Sequence, residues 1–123
     1  SSCSKDEDIN ITNLVGTWDE CYDNPYFIMD GIVEYTFYEN GTYQVYSYNA
    51  LSHMEYTSTN TYILQDDLLI LNTEFSENAL RYHIVKFKKN EMAWQKEGTE
   101  YSEGSLGSDY KHFKRKKGEW LKF

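Results

Sequence analysis

From Gly16 onward the chain is a succession of short runs in which apolar and polar side chains alternate, and Gly, Asn or Asp punctuates most of the breaks. Alternation with a period of two gives a strand two different faces, and it cannot build the stripe that an amphipathic helix needs. Eight such runs lie over 16–23, 31–39, 42–49, 55–64, 68–74, 80–88, 91–97 and 109–115. No sustained helical period interrupts them. Short links between successive strands make the neighbours antiparallel. Eight strands linked in this way can close on themselves, which removes exposed sheet edges. The expectation is an all-β chain folded as one eight-stranded antiparallel up-and-down β-barrel. A length of 123 residues suits one domain, and an aromatic content of 17%, with 12 Tyr, favours packed strands over disorder.

Register can be read at the second link. A two-residue turn at Asn40-Gly41 would pair Glu39 with Thr42, whereas a three-residue turn with Gly41 left-handed in a bulge would pair Tyr38 with Thr42. The second choice gathers Val33, Tyr35, Phe37, Tyr43 and Val45 on one face and Glu34, Thr36, Tyr38, Gln44 and Tyr46 on the other. A slip of one residue would bury Gln44, so the bulged turn is expected. The next turn falls at Gln65-Asp66-Asp67, which sets Tyr62 and Leu64 against Leu69 and Leu71. Met92 and Trp94 form an inward pair on the seventh run. In 80–88 the alternation of Tyr82 and Ile84 conflicts with that of Val85 and Phe87, and a bulge near Lys86 would reconcile them. Residues 98–108, with three glycines, read as a loop and as the most mobile part of the domain.

The net charge of −8 is unevenly spread: residues 110–123 carry +5 and the rest −13. An acidic body argues against nucleic acid as a partner. The basic tail is expected to close the last strand against an acidic neighbour, with an anionic lipid or a phosphate as the other reading.

The segment Ser1-Ser2-Cys3-Ser4-Lys5-Asp6-Glu7-Asp8 resembles the processing junction of Gram-negative lipoproteins. The resemblance implies a diacylglycerol on the Cys3 thiol, an acidic export signal behind it, and an outer-membrane or surface-exposed place in the cell envelope. Residues 1–12 then read as a solvated tether and 13–123 as the barrel domain. The membrane is reached through the lipid anchor alone.

Asn13-Leu14-Val15-Gly16-Thr17-Trp18 carries the Gly-x-Trp signature of the lipocalins and related barrels, at the start of the first strand and after a short leader. The Phe-x-x-x-Gly-Thr-Tyr run from Phe37 to Tyr43 and the leucine-rich run from Tyr62 to Leu71 resemble the short lipocalin-like domains of bacterial lipoproteins. The resemblance implies that Trp18 lies across the closed end of the barrel. It also implies a basic side chain of the last strand, Lys111 or Arg115, packed on the indole, a cation–π contact worth roughly 0.5–2 kcal/mol.

Trp18, Tyr22, Tyr35, Phe37, Tyr43, Tyr62, Tyr82 and Trp94 are the candidate lining of a cavity for a small apolar or amphipathic molecule; the alternative role for the same rings is plain core. Glu20 shares the Trp18 face, where a carboxylate needs a cationic or hydroxyl partner, a raised pKa, or water at the barrel mouth. Cys21 faces the other way, as a partly covered thiol. His53, His83 and His112 lie on separate elements without metal-ligand spacing, and no cofactor motif, nucleophile triad or paired-carboxylate motif stands out. The expectation is therefore a binding protein and not an enzyme. The alternative is a filled barrel whose outer face or loops bind an envelope protein or inhibit a protease.

Overall fold

The computed structural model describes residues 6–21, 31–49, 51–73, 77, 79–99 and 110–116. A short helix α1 (Ile11–Leu14) precedes eight strands: β1 (Gly16–Cys21), β2 (Gly31–Phe37), β3 (Thr42–Asn49), β4 (Met54–Gln65), β5 (Leu68–Leu71), β6 (Leu80–Lys88), β7 (Glu91–Lys96) and β8 (Tyr110–Arg115). Each strand pairs antiparallel with the next, and β8 returns to β1, so the sheet is a closed up-and-down barrel. The links at 38–41, 66–67 and 89–90 gather at one end, here the floor; the links β1–β2, β3–β4, β5–β6 and β7–β8 gather at the other, the loop end.

The expected bulged turn is present. Phe37 pairs with Tyr43, the Tyr38 N–H donates to the Thr42 carbonyl at 2.9 Å, and Gly41 is left-handed at φ +89°. Val33, Tyr35, Phe37, Tyr43 and Val45 accordingly share one face. Tyr62 pairs with Leu71 and Leu64 with Leu69, around a turn one residue tighter than expected: Gln65 itself pairs with Leu68. The β6 conflict is resolved as anticipated. Ile84 pairs with Trp94 but Lys86 with Ala93, so Val85 is the extra residue and is 57% exposed, while Ile84 and Phe87 both point inward and are buried. β5 stops at Leu71 instead of 74 because Asn72 turns left-handed, at φ +61°. Tyr22, Cys3, residues 100–108 of the expected loop and the first residue of the expected eighth run, 109, lie outside the described residues.

The part of the proposed tether from Asp6 onward departs from expectation, because it is folded. β5 reaches only to the Leu68–His83 pair, which leaves the floor end of β6 with an unused edge. Asp6 bridges to Lys88 there, and the Glu7 N–H donates to the Phe87 carbonyl at 2.9 Å. Ile9 packs on the core, and Asn10 caps α1 by accepting from the Asn13 N–H at 2.8 Å. This strap carries Leu14, fully buried, under the barrel. The unused edge and the apolar spacing of Ile9 and Leu14 explain why the segment adheres although it is polar.

Trp18 is fully buried on the floor, and its Nε1–H donates to the Leu14 carbonyl at 2.9 Å. The Arg115 guanidinium lies over its ring at 4.2 Å, the choice between Arg115 and Lys111 falling on Arg115. Gly16 has φ +132°, and a Cβ there would stand 2.5 Å from Arg115 Nη1, so the glycine of Gly-x-Trp makes room for the guanidinium. Trp18→Ala should lower unfolding stability by about 3–5 kcal/mol, and Gly16→Ala by about 1–3 kcal/mol through strain. Urea unfolding followed by Trp fluorescence measures both; a loss under about 1 kcal/mol for Trp18→Ala would show that the indole carries little of the core.

Candidate functional site

Strand alternation sends one side chain in two into the barrel, and here the inward set is mostly aromatic. Phe37, Tyr43, Tyr62, Tyr82, Trp94 and Phe113 are all buried. Their rings touch in one network: Trp94 to Phe113 at 4.3 Å, Phe37 to Tyr62 at 5.2 Å, and Tyr82 to Trp94 at 5.4 Å between centroids. Tyr35 is only half-buried and stands edge-on to Trp94 at 5.4 Å and to Phe113 at 5.2 Å. Offset and edge-on contacts of this kind add roughly 0.5–1.5 kcal/mol each beyond burial.

The hydroxyls are held as well. Tyr43 donates to Asn72 Oδ1 at 2.5 Å and Tyr62 to the Tyr38 carbonyl at 2.7 Å. Burial, with Glu39 adding to it, raises the Tyr62 phenol above its ordinary value.

Above these rings sits a polar pair. Glu20 lies two residues beyond Trp18 on β1, and Lys111 two residues before Phe113 on β8, both displaced toward the loop end. Lys111 Nζ stands 3.2 Å from Glu20 Oε2, with side chains 16% and 5% exposed. Glu20 therefore has the cationic partner its inward position requires. Removing two charges from water costs several kcal/mol per ion, and their attraction seldom does more than return it. Such a pair is a poor way to stabilise a barrel and a good way to place polarity inside one.

The structure thus brings together Glu20, Tyr35, Phe37, Tyr43, Tyr62, Tyr82 and Trp94, seven of the nine candidate lining residues. Trp18 is apart from the rest, on the floor beside Phe87 at 6.1 Å. Sequence reasoning left out Phe113 and gave Lys111 a different task. Both could have been found from the alternation of β8, in which Lys111, Phe113 and Arg115 share a face.

The outer face holds further charged groups. Asp19 lies directly opposite Glu34, whose Oε2 takes Lys116 Nζ at 2.6 Å. Burial first, and the Glu34 carboxylate second, raise the Asp19 carboxyl, and its Oδ1 is buried without a partner among the described residues. Burial alone would raise Glu91, yet hydrogen bonds from His112, at 2.5 Å, and Lys86, at 3.1 Å, hold it below its ordinary value. His83 sits between Asp67 at 3.4 Å and Glu97 at 3.1 Å. Cys21 is on the outer face as expected, partly covered, its Sγ–H directed at the Asp19 carbonyl at 3.7 Å. Among the described residues, no three His, Cys, Asp or Glu side chains are grouped to hold a metal ion.

A closed eight-stranded antiparallel barrel with a ring-packed interior and an internal Glu20–Lys111 ion pair defines the class of protein. The NMR structure of a protein from Bacteroides uniformis ATCC 8492 is similar over 89% of this chain and 94% of that one, at 31% identity and a TM-score of 0.58. The chain belongs to the same family as that protein. No family model and no curated protein matches it.

Lys111→Met, which strands the Glu20 carboxylate, should cost about 3 kcal/mol, and the Glu20→Gln/Lys111→Met double variant should recover most of that; a double variant no better than the single one would mean the pair is not coupled. The Asp19 carboxyl is raised in the folded state, so folding is penalised as pH climbs above the unfolded value of 3.8. Asp19→Asn should therefore stabilise the protein at pH 7 by on the order of 1 kcal/mol or less, because the side chain is only partly buried, and by nothing once both states are protonated. Urea midpoints on either side of that value decide it, and equal gains at both would refute the linkage.

Proposed function

We propose that this barrel binds a small amphipathic molecule in its loop-end half, with the Glu20–Lys111 pair meeting the polar part of the ligand and Tyr35 with its ring neighbours meeting the apolar part. The observation that carries the reading is the internal ion pair. It lies beyond a layer of packed rings, at the end of the barrel where the longer links leave, and it contributes little to stability for its cost. The rings of Trp94, Phe37 and Phe113 on the same inward face are fully buried. The reading is one of binding, not catalysis.

The lipocalin-like resemblance of Gly16-Thr17-Trp18 agrees with this role, and so does the Arg115 contact on Trp18. We further propose that Cys3 carries a lipid and holds the protein in a bacterial cell envelope. That proposal rests on Ser1-Ser2-Cys3-Ser4 and on the relationship to a Bacteroides protein.

A second reading has its own support. Leu51, Met54 and Tyr56, at the end of the long β3–β4 hairpin, are 78%, 46% and 60% exposed, and such apolar exposure at a loop end suits a protein partner. Native mass spectrometry of the protein extracted from its own membranes separates the readings. The expected result is a small molecule released on denaturation, plus a diacylglyceryl mass on Cys3. An amphiphilic fluorescent probe should bind and be weakened about tenfold or more by Lys111→Met. A chain without any released mass, indifferent to the probe, would end the ligand reading and leave the protein-binding one; an unmodified Cys3 would end the lipid anchor.

A further inference from the structure

The floor of the barrel holds a cleft of about 280 Å³ that the ligand reading does not use, walled by Glu7, Thr12, Asn13, Lys88, Lys89 and Arg115. Its cations are unevenly satisfied. Arg115 donates Nε to the Lys89 carbonyl at 2.8 Å, Nη1 to the Val15 carbonyl at 3.0 Å and Nη2 to the Asn13 carbonyl at 2.7 Å. All three acceptors are neutral, and among the described residues no carboxylate lies within 4.0 Å of the guanidinium or of the Lys89 ammonium. Lys88 Nζ stands 3.4 Å from Asp6 Oδ1, and Asp6 itself is 86% exposed. A guanidinium has five N–H donors, so two remain after these bonds. The Thr12 hydroxyl adds a further donor on the wall.

We infer that this cleft binds a phosphoryl oxyanion, held by Arg115 and Lys89 with Lys88 and Thr12 beside them. A phosphoryl group suits the arrangement because it offers several oxygens to donors that approach from different directions. The volume admits the anion together with water, since each water occupies about 30 Å³. Glu7 is the opposing wall, and its carboxylate limits the affinity. Two sources supply the same chemistry: free phosphate, or the headgroup of a phospholipid. The second is in reach, because Cys3 is three residues from Asp6 and an extended chain of that length spans roughly 10 Å. Only the headgroup source depends on the lipid anchor proposed above.

The test is a ¹H–¹⁵N titration of the whole 123-residue chain, without acylation, against inorganic phosphate, with chloride at matched ionic strength as the control. Saturable shifts are expected at the Lys89 and Asn13 amides and at the Arg115 Nε–H. Lys89→Ala should weaken binding about tenfold. It leaves the Lys89 carbonyl in place for Arg115, so the unfolding midpoint should not move. Glu7→Gln should tighten binding by on the order of threefold, which a purely structural wall would not do. A soluble short-chain phosphatidylglycerol, kept monomeric, shifts the same resonances at lower concentration than phosphate where the headgroup is the better ligand, and at equal concentration where any phosphoryl group suffices. Shifts no larger than those of chloride with both anions, or an affinity unchanged in Lys89→Ala, would overturn the assignment.

Discussion

The barrel depends on the stacking of Arg115 over Trp18. A closed sheet requires its first and last strands to meet, and the residues that meet here are nearly the whole domain apart in sequence. Arg115 bonds to carbonyls 100 and 102 residues earlier and covers the indole at 4.2 Å. The entropy of closing so long a loop rises only slowly with its length, so a few well-formed contacts can hold it. The guanidinium is suited to the task because it stacks and donates at once, which an ammonium does not. Burial lowers its pKa without threatening its charge, since three carbonyls replace the lost water. Gly16 follows from the same contact, as the residue whose missing Cβ leaves the guanidinium its place.

The interior is graded from this knot toward the loop end. Trp18 and Leu14 seal the floor without exposure, the next layer is rings packed on rings, and only beyond them does a charged pair occur. Were polarity merely tolerated, it would be found at the rim in water. A carboxylate side chain that is 5% exposed and answered by one lysine is instead a defined feature of the inside. The lower half supplies the cohesion, so the upper half can carry groups chosen for something other than stability.

Much of this was legible in the sequence, and the reason is the short period of strands. A two-residue repeat makes every register error expensive, because a slip exchanges the two faces. That is why the Asn40-Gly41 bulge, the inward pair Met92 and Trp94, and the irregularity in β6 could be located from side-chain chemistry alone. The strap was not legible. Asp6 and Glu7 adhere to β6 because β5 is short, and the length of a neighbouring strand is a property of the assembled sheet. Lys111 was likewise ambiguous: alternation puts it and Arg115 on one face, and only the register of β8 against β1 says which one reaches Trp18 and which Glu20. The internal site was therefore readable as a set of rings and not as a polar pair.

The two ends of the barrel divide its tasks according to the length of their links. Floor turns of two to four residues fix strand spacing and leave little freedom, and the strap and α1 close what they leave open. The loop-end links are longer in sequence, up to 13 residues between β7 and β8. Where a rigid scaffold holds longer connections, recognition concentrates on them and on the side chains just beneath. Glu20 and Lys111 stand just beneath, on the two strands that the Arg115 knot joins. The contact that closes the barrel is thus also what sets the distance between the members of the internal pair. A change on the floor that shifted β8 along β1 by one register step would turn Lys111 outward and dismantle the site without touching it.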